Sequence, residues 1–277
     1  MHKGARGLED DCAVLEFGSE TLILNHDCMA EGTHFLADSD MADVAWKLVA
    51  SNLSDLAAKG AEPIGVLLGH CLDTDHAGFA RGLSEALEAF GVTLLGGDTI
   101  KANGPRVFGL TAIGQATHTP VPSRSGAQCG DAIYVSGTLG RAMLGFERDK
   151  RHLDAFNRPA PRLAEGQALA PHVSAMMDIS DGLLLDTFRM AEASKLTFEL
   201  EESLIPVADP RRISECLRWG DDYELLFTAP PQIKLPVAAT CIGKVIGDEL
   251  APLIVSGKHV ASHDGLGYQH GISGIDG

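Results

Sequence analysis

The chain has 277 residues, 45% apolar and 22% charged, a balance proper to a folded globular protein and long enough for two compact units of roughly 100 to 200 residues each. Acidic residues outnumber basic ones by 38 to 22, and the net charge of −16 repels nucleic acid and anionic membranes, which argues against either as a partner. No apolar run approaches the ~20 residues that span a bilayer, and the start Met1-His2-Lys3-Gly4-Ala5-Arg6-Gly7 carries no apolar signal stretch, so the expected location is cytoplasmic.

The first half reads as two strands, a helix, a strand, a second helix and two more strands, an alternation that implies a packed α/β unit. Thr21 to Asn25 is a short β-like run. Asp40 N-caps a helix with Ala45, Leu48, Val49, Leu53 and Leu56 on one face, and Lys59-Gly60 stops it. Ile64 to His70 reads as a buried strand; Thr74 or Asp75 caps a helix carrying Phe79, Leu83, Ala86, Leu87 and Phe90, which Gly91 closes. Val92 to Leu95 is a strand running into Gly96-Gly97-Asp98-Thr99, and Arg106 to Gln115 is another.

The polar, proline-bearing stretch Thr117 to Gln128 reads as a linker. It divides the chain into an N-terminal α/β domain, 1–118, and a C-terminal α/β domain, 129–277, with the linker at about 119–128. The second half opens with a strand, Ala132 to Ser136, and a helix entered through Gly137-Thr138-Leu139-Gly140. That turn is an ordinary strand-to-helix connection. The six cysteines are widely spaced with no C-x-x-C pair, so neither a disulfide framework nor a zinc site is expected; Cys12 and Cys28 read as small packing residues.

Six segments set carboxylates beside small or turn-forming residues: Glu9-Asp10-Asp11, Asn25-His26-Asp27, Asn52-Leu53-Ser54-Asp55, Gly96-Gly97-Asp98-Thr99, Asp178-Ile179-Ser180-Asp181-Gly182 and Gly220-Asp221-Asp222-Tyr223-Glu224. One such segment is an ordinary turn or cap. Six together fit magnesium, which takes oxygen ligands from one or two carboxylates plus substrate phosphates. In Asp178-x-x-Asp181-Gly182 the two carboxylates are expected on neighbouring faces of a first helical turn, where free N–H groups also favour anions. No G-x-x-x-x-G-K-[ST] loop is present, which excludes a P-loop mechanism.

In this order the segments resemble the thiamine-monophosphate kinases, within the superfamily that also holds aminoimidazole ribonucleotide synthetase and selenophosphate synthetase. The most specific matches are Asp27 with Glu31-Gly32-Thr33-His34-Phe35, then Asn52 to Ala61, Leu95 to Thr99, Ile179 to Leu183 and Gly220 to Phe227. The resemblance implies an N-terminal α/β domain that dimerises through its sheet, a C-terminal α/β domain and an ATP cleft between them. It implies ATP-dependent phosphorylation of thiamine monophosphate by a homodimer using magnesium. By match to the family's motifs, Asp11, Asp27, Asp55, Asp98, Asp178 and Asp181 ligate magnesium, with Asp55, Asp98 and Asp181 central to turnover. Gly97, Asp98, Arg124 and Ser180 contact ATP, and His34, Asp221 and Tyr268 face the thiamine phosphate.

The acceptor is itself a phosphate with a second pKa of about 6, so no general base is needed; the task is to position and neutralise two anions. Read alone, His34 beside Phe35, Arg124 in a polar stretch and Tyr268 are ordinary packing or solvated residues; the surrounding motifs assign them to ligands. Glu9 stands where the family has glycine, and Asn25 and His26 where it has small hydroxyl residues, so a hydroxyl ligand is lost. The chain begins only a few residues before the first motif at Glu9, so the family's usual leading segment is expected to be either missing or not included in this sequence. Two alternatives stay open on the residues: a nucleotide-binding assembly or regulatory protein of the same fold without turnover, and a related ATP-dependent enzyme acting on another phosphorylated metabolite.

Overall fold

The structure, a computed structural model, describes residues 2–72 and 75–270. Two strands open the first domain, β1 (Ala13–Phe17) and β2 (Glu20–Ala30). Helix α1 (Met41–Ala58), strand β3 (Ala61–Cys71), helix α2 (His76–Phe90) and strands β4 (Thr93–Ile100) and β5 (Val107–Ala116) follow, in the order the periodicity predicts. Their five-stranded sheet runs β1-β2-β5-β3-β4. Strand β2 is longer than the apolar run Thr21 to Asn25, because its polar continuation keeps register with β5 as far as Ala30 opposite Val107. Asp27 therefore lies inside a strand rather than after one.

Asp40 caps α1 by accepting the Ala42 N–H at 2.8 Å, and Asp75 caps α2 by accepting that of Gly78 at 3.0 Å. The alternative cap Thr74 lies outside the described residues. Helix α1 is buried almost all round, including Asn52 and Ser54, as befits a helix with protein on every side. The sheet covers one side and α2 another; α5 (Leu163–Leu169) and β7 (Ala175–Asp178) of the second half cover the rest. A Cβ on Gly166 would meet Ala57 O at 2.0 Å, so α5 approaches α1 as closely as glycine permits.

The second half builds a seven-stranded sheet, β12-β11-β8-β10-β6-β9-β7. Its members are β6 (Ala132–Val135), β7, β8 (Thr197–Leu200), β9 (Leu225–Ala229), β10 (Thr240–Ile246), β11 (Leu253–Val255) and β12 (Lys258–Val260). Helices α3 (Arg141–Phe146), α4 (Leu153–Asn157), α6 (Leu183–Ser194) and α7 (Ile213–Cys216) complete it. Each half has its own apolar core: one around Leu48, Leu53, Phe79 and Phe108, the other around Ile133, Leu184, Phe188 and Leu226. Polar bonds stitch the seam between them, among them Trp46 Nε1 to Pro159 O at 2.9 Å and Arg158 to Asp43 and Glu85 at 2.5 and 2.8 Å. Among the described residues no helix is long and apolar enough to cross a membrane.

Candidate active site

The seam between the halves gathers carboxylates. Asp55 projects from α1, Asp178 ends β7, and Asp11 lies two residues before the start of β1; each places a carboxylate oxygen within 4.8 Å of the others. Asn25 sits on the β2 face turned toward α1, and its Nδ2 donates to Asp55 Oδ2 at 2.7 Å and to Asn52 Oδ1 at 3.2 Å. Asp27, two residues on and so on the same face, anchors its backbone N–H to Asn52 Oδ1 at 3.1 Å. Across the seam Ser54 Oγ donates to Asp178 Oδ2 at 2.6 Å.

Electrostatics mark this cluster as short of positive charge. Burial, then the nearby charges of Asp178, Asp27 and Asp11, pushes Asp55 well above the usual carboxylate range, against the Asn25 hydrogen bond. Burial and the Asp11 charge push Asp178 up to about 8, although the Ser54 bond pulls the other way. Asn25 Oδ1 is buried with no hydrogen-bond partner among the described residues. Carboxylates raised by crowding, beside an unsatisfied amide oxygen, form a hard-oxygen donor set that fits magnesium. Asn25 thus brings an amide oxygen to the place where the sequence predicts a lost hydroxyl ligand.

Asp11 differs from its neighbours. Burial alone would raise its carboxyl, but Lys59 and then Arg124 outweigh it and hold it down at about 2. Lys59 Nζ lies 2.7 Å from Asp11 Oδ2, and Arg124 Nη2 bonds Asp11 Oδ1. Asp10 receives Lys59 at 2.5 Å and Arg6 at 2.6 Å.

The Asp178-to-Gly182 segment is not a first helical turn. Asp178 closes a strand and α6 begins only at Leu183, after Gly182 at φ +113°, so the two carboxylates lie on opposite sides of a turn. Asp186, fully buried in α6, accepts the N–H groups of Ser180 and Asp181 at 3.2 and 3.1 Å and fixes that turn. Burial and the Asp181 charge raise Asp186 to about 7. Asp181 itself accepts from Arg189 at 2.5 Å.

The remaining ligand candidates converge beside this turn. Asp221 N–H donates to Ser180 O at 2.8 Å, and Tyr268 N–H to Asp181 O at 2.9 Å. Asp221 and Tyr223 sit at φ +63° and +50°, conformations a side chain disfavours and which cluster at functional loops. Lys47, on α1, reaches Asp221 Oδ2 at 2.6 Å while its ammonium lies 3.9 Å from the centre of the Phe156 ring. His34 faces His270 at 5.7 Å between ring centres, and Tyr268 faces His270 at 4.9 Å. Burial lowers the His34 pKa, and its Nδ1 accepts the Ala30 N–H at 3.1 Å, which leaves Nε2 to carry the proton of the neutral ring. A cavity of about 380 Å³ opens here, lined by His34, Lys47, Asp43, Phe146 and Phe156.

Two candidates stand apart. Asp98 and Gly97 lie on β4, an edge strand exposed along its length, and β5 and β3 separate it from β2. Three strand spacings put β4 about 14 Å from Asp27. Gly97, at φ +153°, is required by packing, since a Cβ there would meet Leu68 O at 1.9 Å. Cys28 is another correction: it is exposed on the open sheet face with Sγ 3.4 Å from His26 Nε2, not packed. Gly140, at the entry to α3, donates its own N–H to Asp222 at 3.0 Å, a connection serving the protein's own carboxylate.

Sequence reasoning passed over Lys47, Lys59, Asp186 and Arg189. Lys47 and Asp186 occupy helix positions where a charged residue is ordinarily solvated; only the docking of the second domain on α1 makes Lys47 a buried cation. Lys59 reads locally as a helix stop. A charged residue inside an otherwise apolar helical face was the available signal, as at Asp186 between Leu185 and Phe188.

The chain matches the family models described as AIR synthase related protein, N-terminal domain, over residues 9–116, and C-terminal domain, over residues 128–241. It is 35% identical to the thiamine-monophosphate kinase of Escherichia coli strain K12, over 95% of this chain and 91% of that one. The Haemophilus influenzae thiamine-monophosphate kinase is 36% identical over 94% and 90%. Among solved structures, a complex of AaThiL with AMPPCP and TMP superposes with a TM-score of 0.85 at 28% identity, covering 93% of this chain and 92% of that one. The Aquifex aeolicus thiamine monophosphate kinase gives 0.82 at 28% identity, over 92% and 95%.

Proposed function

The chain belongs to the thiamine-monophosphate kinase family of AIR synthase related proteins, and on that premise we infer that it transfers the terminal phosphoryl group of ATP to thiamine monophosphate, giving thiamine diphosphate and ADP. The observation that carries the reading is the convergence of Asp11, Asp55 and Asp178 within 4.8 Å at the seam, next to the His34 and Lys47 cavity. In our proposal the halves act as an N-terminal metal- and ATP-binding domain, 1–118, and a C-terminal domain, 129–277.

An acceptor phosphate oxygen bonds to the terminal phosphorus of ATP as the bond from that phosphorus to the bridging oxygen breaks, and ADP leaves with the electron pair. Asp27, Asp55 and Asp178, with the oxygen of Asn25 in reach, would hold magnesium, which when bound would supply positive charge to the phosphate oxygens. Arg124 adds a planar cation suited to a phosphate, and the Ser180 turn, fixed by Asp186, presents its hydroxyl to the nucleotide. His34 donates through Nε2 toward the acceptor, Asp221 is held in place by Lys47, and Tyr268 offers a ring to the thiamine heterocycles. Asp98 joins the site within a homodimer, and the enzyme works in the cytoplasm.

The test is incubation of purified protein with magnesium, ATP and thiamine monophosphate, followed by chromatography of the thiamine species. Thiamine diphosphate and ADP are expected in equal amounts. Product no higher than in a protein-free control overturns the reading.

A further inference from the structure

Lys59 is among the largest fully buried side chains of the protein, with 0% exposure, and its ammonium is surrounded by oxygens. Its Nζ lies 2.5 Å from Asp10 Oδ1, 2.7 Å from Asp11 Oδ2 and 3.3 Å from Met176 O of β7. Its backbone is pinned at the C-terminus of α1, where its N–H caps the Leu56 and Ala57 carbonyls and Gly60 turns the chain at φ +61°. The ammonium is therefore fixed from both ends and also meets the negative end of the helix dipole.

This arrangement splits the carboxylates into two classes. Asp55 accepts from the neutral Asn25 amide and Asp178 from the neutral Ser54 hydroxyl. Asp11 has cations on both oxygens, Arg124 on Oδ1 and Lys59 beside Oδ2. A buried carboxylate so neutralised gains little from a divalent ion, whereas one crowded by like charges gains much.

We propose that Lys59 is a fixed internal cation of the site, whose ammonium holds the place at Asp11 that a divalent ion would otherwise take. The proposal rests on the magnesium reading above and assigns divalent ions to Asp27, Asp55 and Asp178, leaving Asp11 to the protein's own charges. It also gives Lys59 a part in the reaction as a positioning residue. Arg124 is asked to serve a nucleotide phosphate, and Lys59 keeps Asp11 neutralised when the guanidinium is so engaged, with no proton or further ion required.

Mn²⁺ titration of the nucleotide-free protein, followed by the electron paramagnetic resonance signal of the free ion, counts the ions bound per chain. Lys59→Met, checked for folding by circular dichroism, is expected to bind one Mn²⁺ more than wild type. Adding Asp11→Asn to that variant is expected to remove the gain. Asp11→Asn alone is expected to leave the wild-type count unchanged while Asp55→Asn lowers it, a comparison that keeps Lys59 in place. A folded Lys59→Met with the wild-type count, a gain that survives Asp11→Asn, or an ion lost from Asp11→Asn alone each overturns the proposal. Wild type that binds no Mn²⁺ sinks the magnesium reading instead, and the Lys59→Met arm still decides this one.

Discussion

Ser54 Oγ donates to Asp178 Oδ2 at 2.6 Å, so a helix of the first domain holds the last strand residue of the second, one position from Asp55. The carboxylate cluster therefore exists only when the domains are docked.

Ser54→Ala removes a hydrogen bond that favours the ionised form of Asp178, whose pKa already stands at about 8. With that bond gone the carboxyl titrates higher still, and a smaller fraction is ionised at neutral pH to receive magnesium. The expected result is a rise of about tenfold in the magnesium concentration needed for half-maximal rate, from a charge-assisted bond worth roughly 1.5–3 kcal/mol. An unchanged magnesium dependence would show that Ser54 plays no part in ligand ionisation.

Asp55→Asn replaces a half-buried carboxylate by a neutral group of the same shape. Turnover is expected to fall by at least about 100-fold, the usual cost of losing a group that stabilises transition-state charge. The metal-free variant is expected to melt higher than wild type near neutral pH, because the carboxyl that burial and like charges push well above its unfolded pKa has gone. Loss of activity with a lower melting temperature would point to a structural role instead.

Stability should depend on pH in a direction opposite to that of a salt-bridged protein. Asp178, Asp186 and Asp222 stand at about 8, 7 and 8 in the folded chain, against about 3.9 for an unfolded aspartate. Between those values the folded chain keeps protons that the unfolded chain has released, so raising the pH favours unfolding. Their contribution is whole below about pH 4 and is lost as pH rises through about 7 to 8. Asp11, down at about 2, is ionised in both states above about pH 5 and adds no slope there. Differential scanning calorimetry of the metal-free protein should give a lower melting temperature at about pH 8.5 than at about pH 5.5, with magnesium narrowing the gap. A melting temperature that rises over this interval contradicts the assignment.

Lys47→Met leaves Asp221 without its cation and removes the ammonium from the face of the Phe156 ring, while keeping a side chain of similar length and volume. The KM for thiamine monophosphate is expected to rise by roughly tenfold or more, the consequence of losing a charge-assisted bond that fixes a substrate contact. The KM for ATP should stay close to wild type. Equal effects on both would place Lys47 in general domain docking.

How much of this was legible in the sequence follows from where each signal lies. Helices α1 and α2, with their Asp40 and Asp75 caps, are local features, and periodicity and cap residues located them. The carboxylate motifs were equally plain. What local pattern could not supply was which carboxylate meets which cation: Lys59 and Asp11 are far apart in sequence, and Arg124 lies in a stretch that reads as solvated. Asp178 and Asp181 look like one helical turn because spacing alone cannot distinguish a turn from the end of a strand. Asn25 looked like a lost ligand, and only its position opposite Asp55 shows an amide oxygen in that place.

Asp98 poses a sharper question, because the sequence groups it with the metal ligands while the fold leaves it on the exposed edge strand β4. Asp98 pairs in register with Gly69, which pairs with Gly109 opposite Cys28, so its row lies on the open sheet face. The Asp27 row alternates to the other face, through the fully buried Leu110. Within one chain Asp98 cannot approach Asp55 without breaking the sheet. In a homodimer that brings the β4 edge of one protomer to the seam of the other, Asp98 of one protomer can serve the cluster of the other. Asp55→Asn and Asp98→Asn should then each be inactive alone, yet regain activity when unfolded together and refolded as a mixture. Random pairing makes half the dimers mixed, each with one site holding both native aspartates, so about a quarter of wild-type activity is expected. A mixture as inactive as its parts would mean that each chain completes its own site, and Asp98 would then return to the role of an edge-strand aspartate.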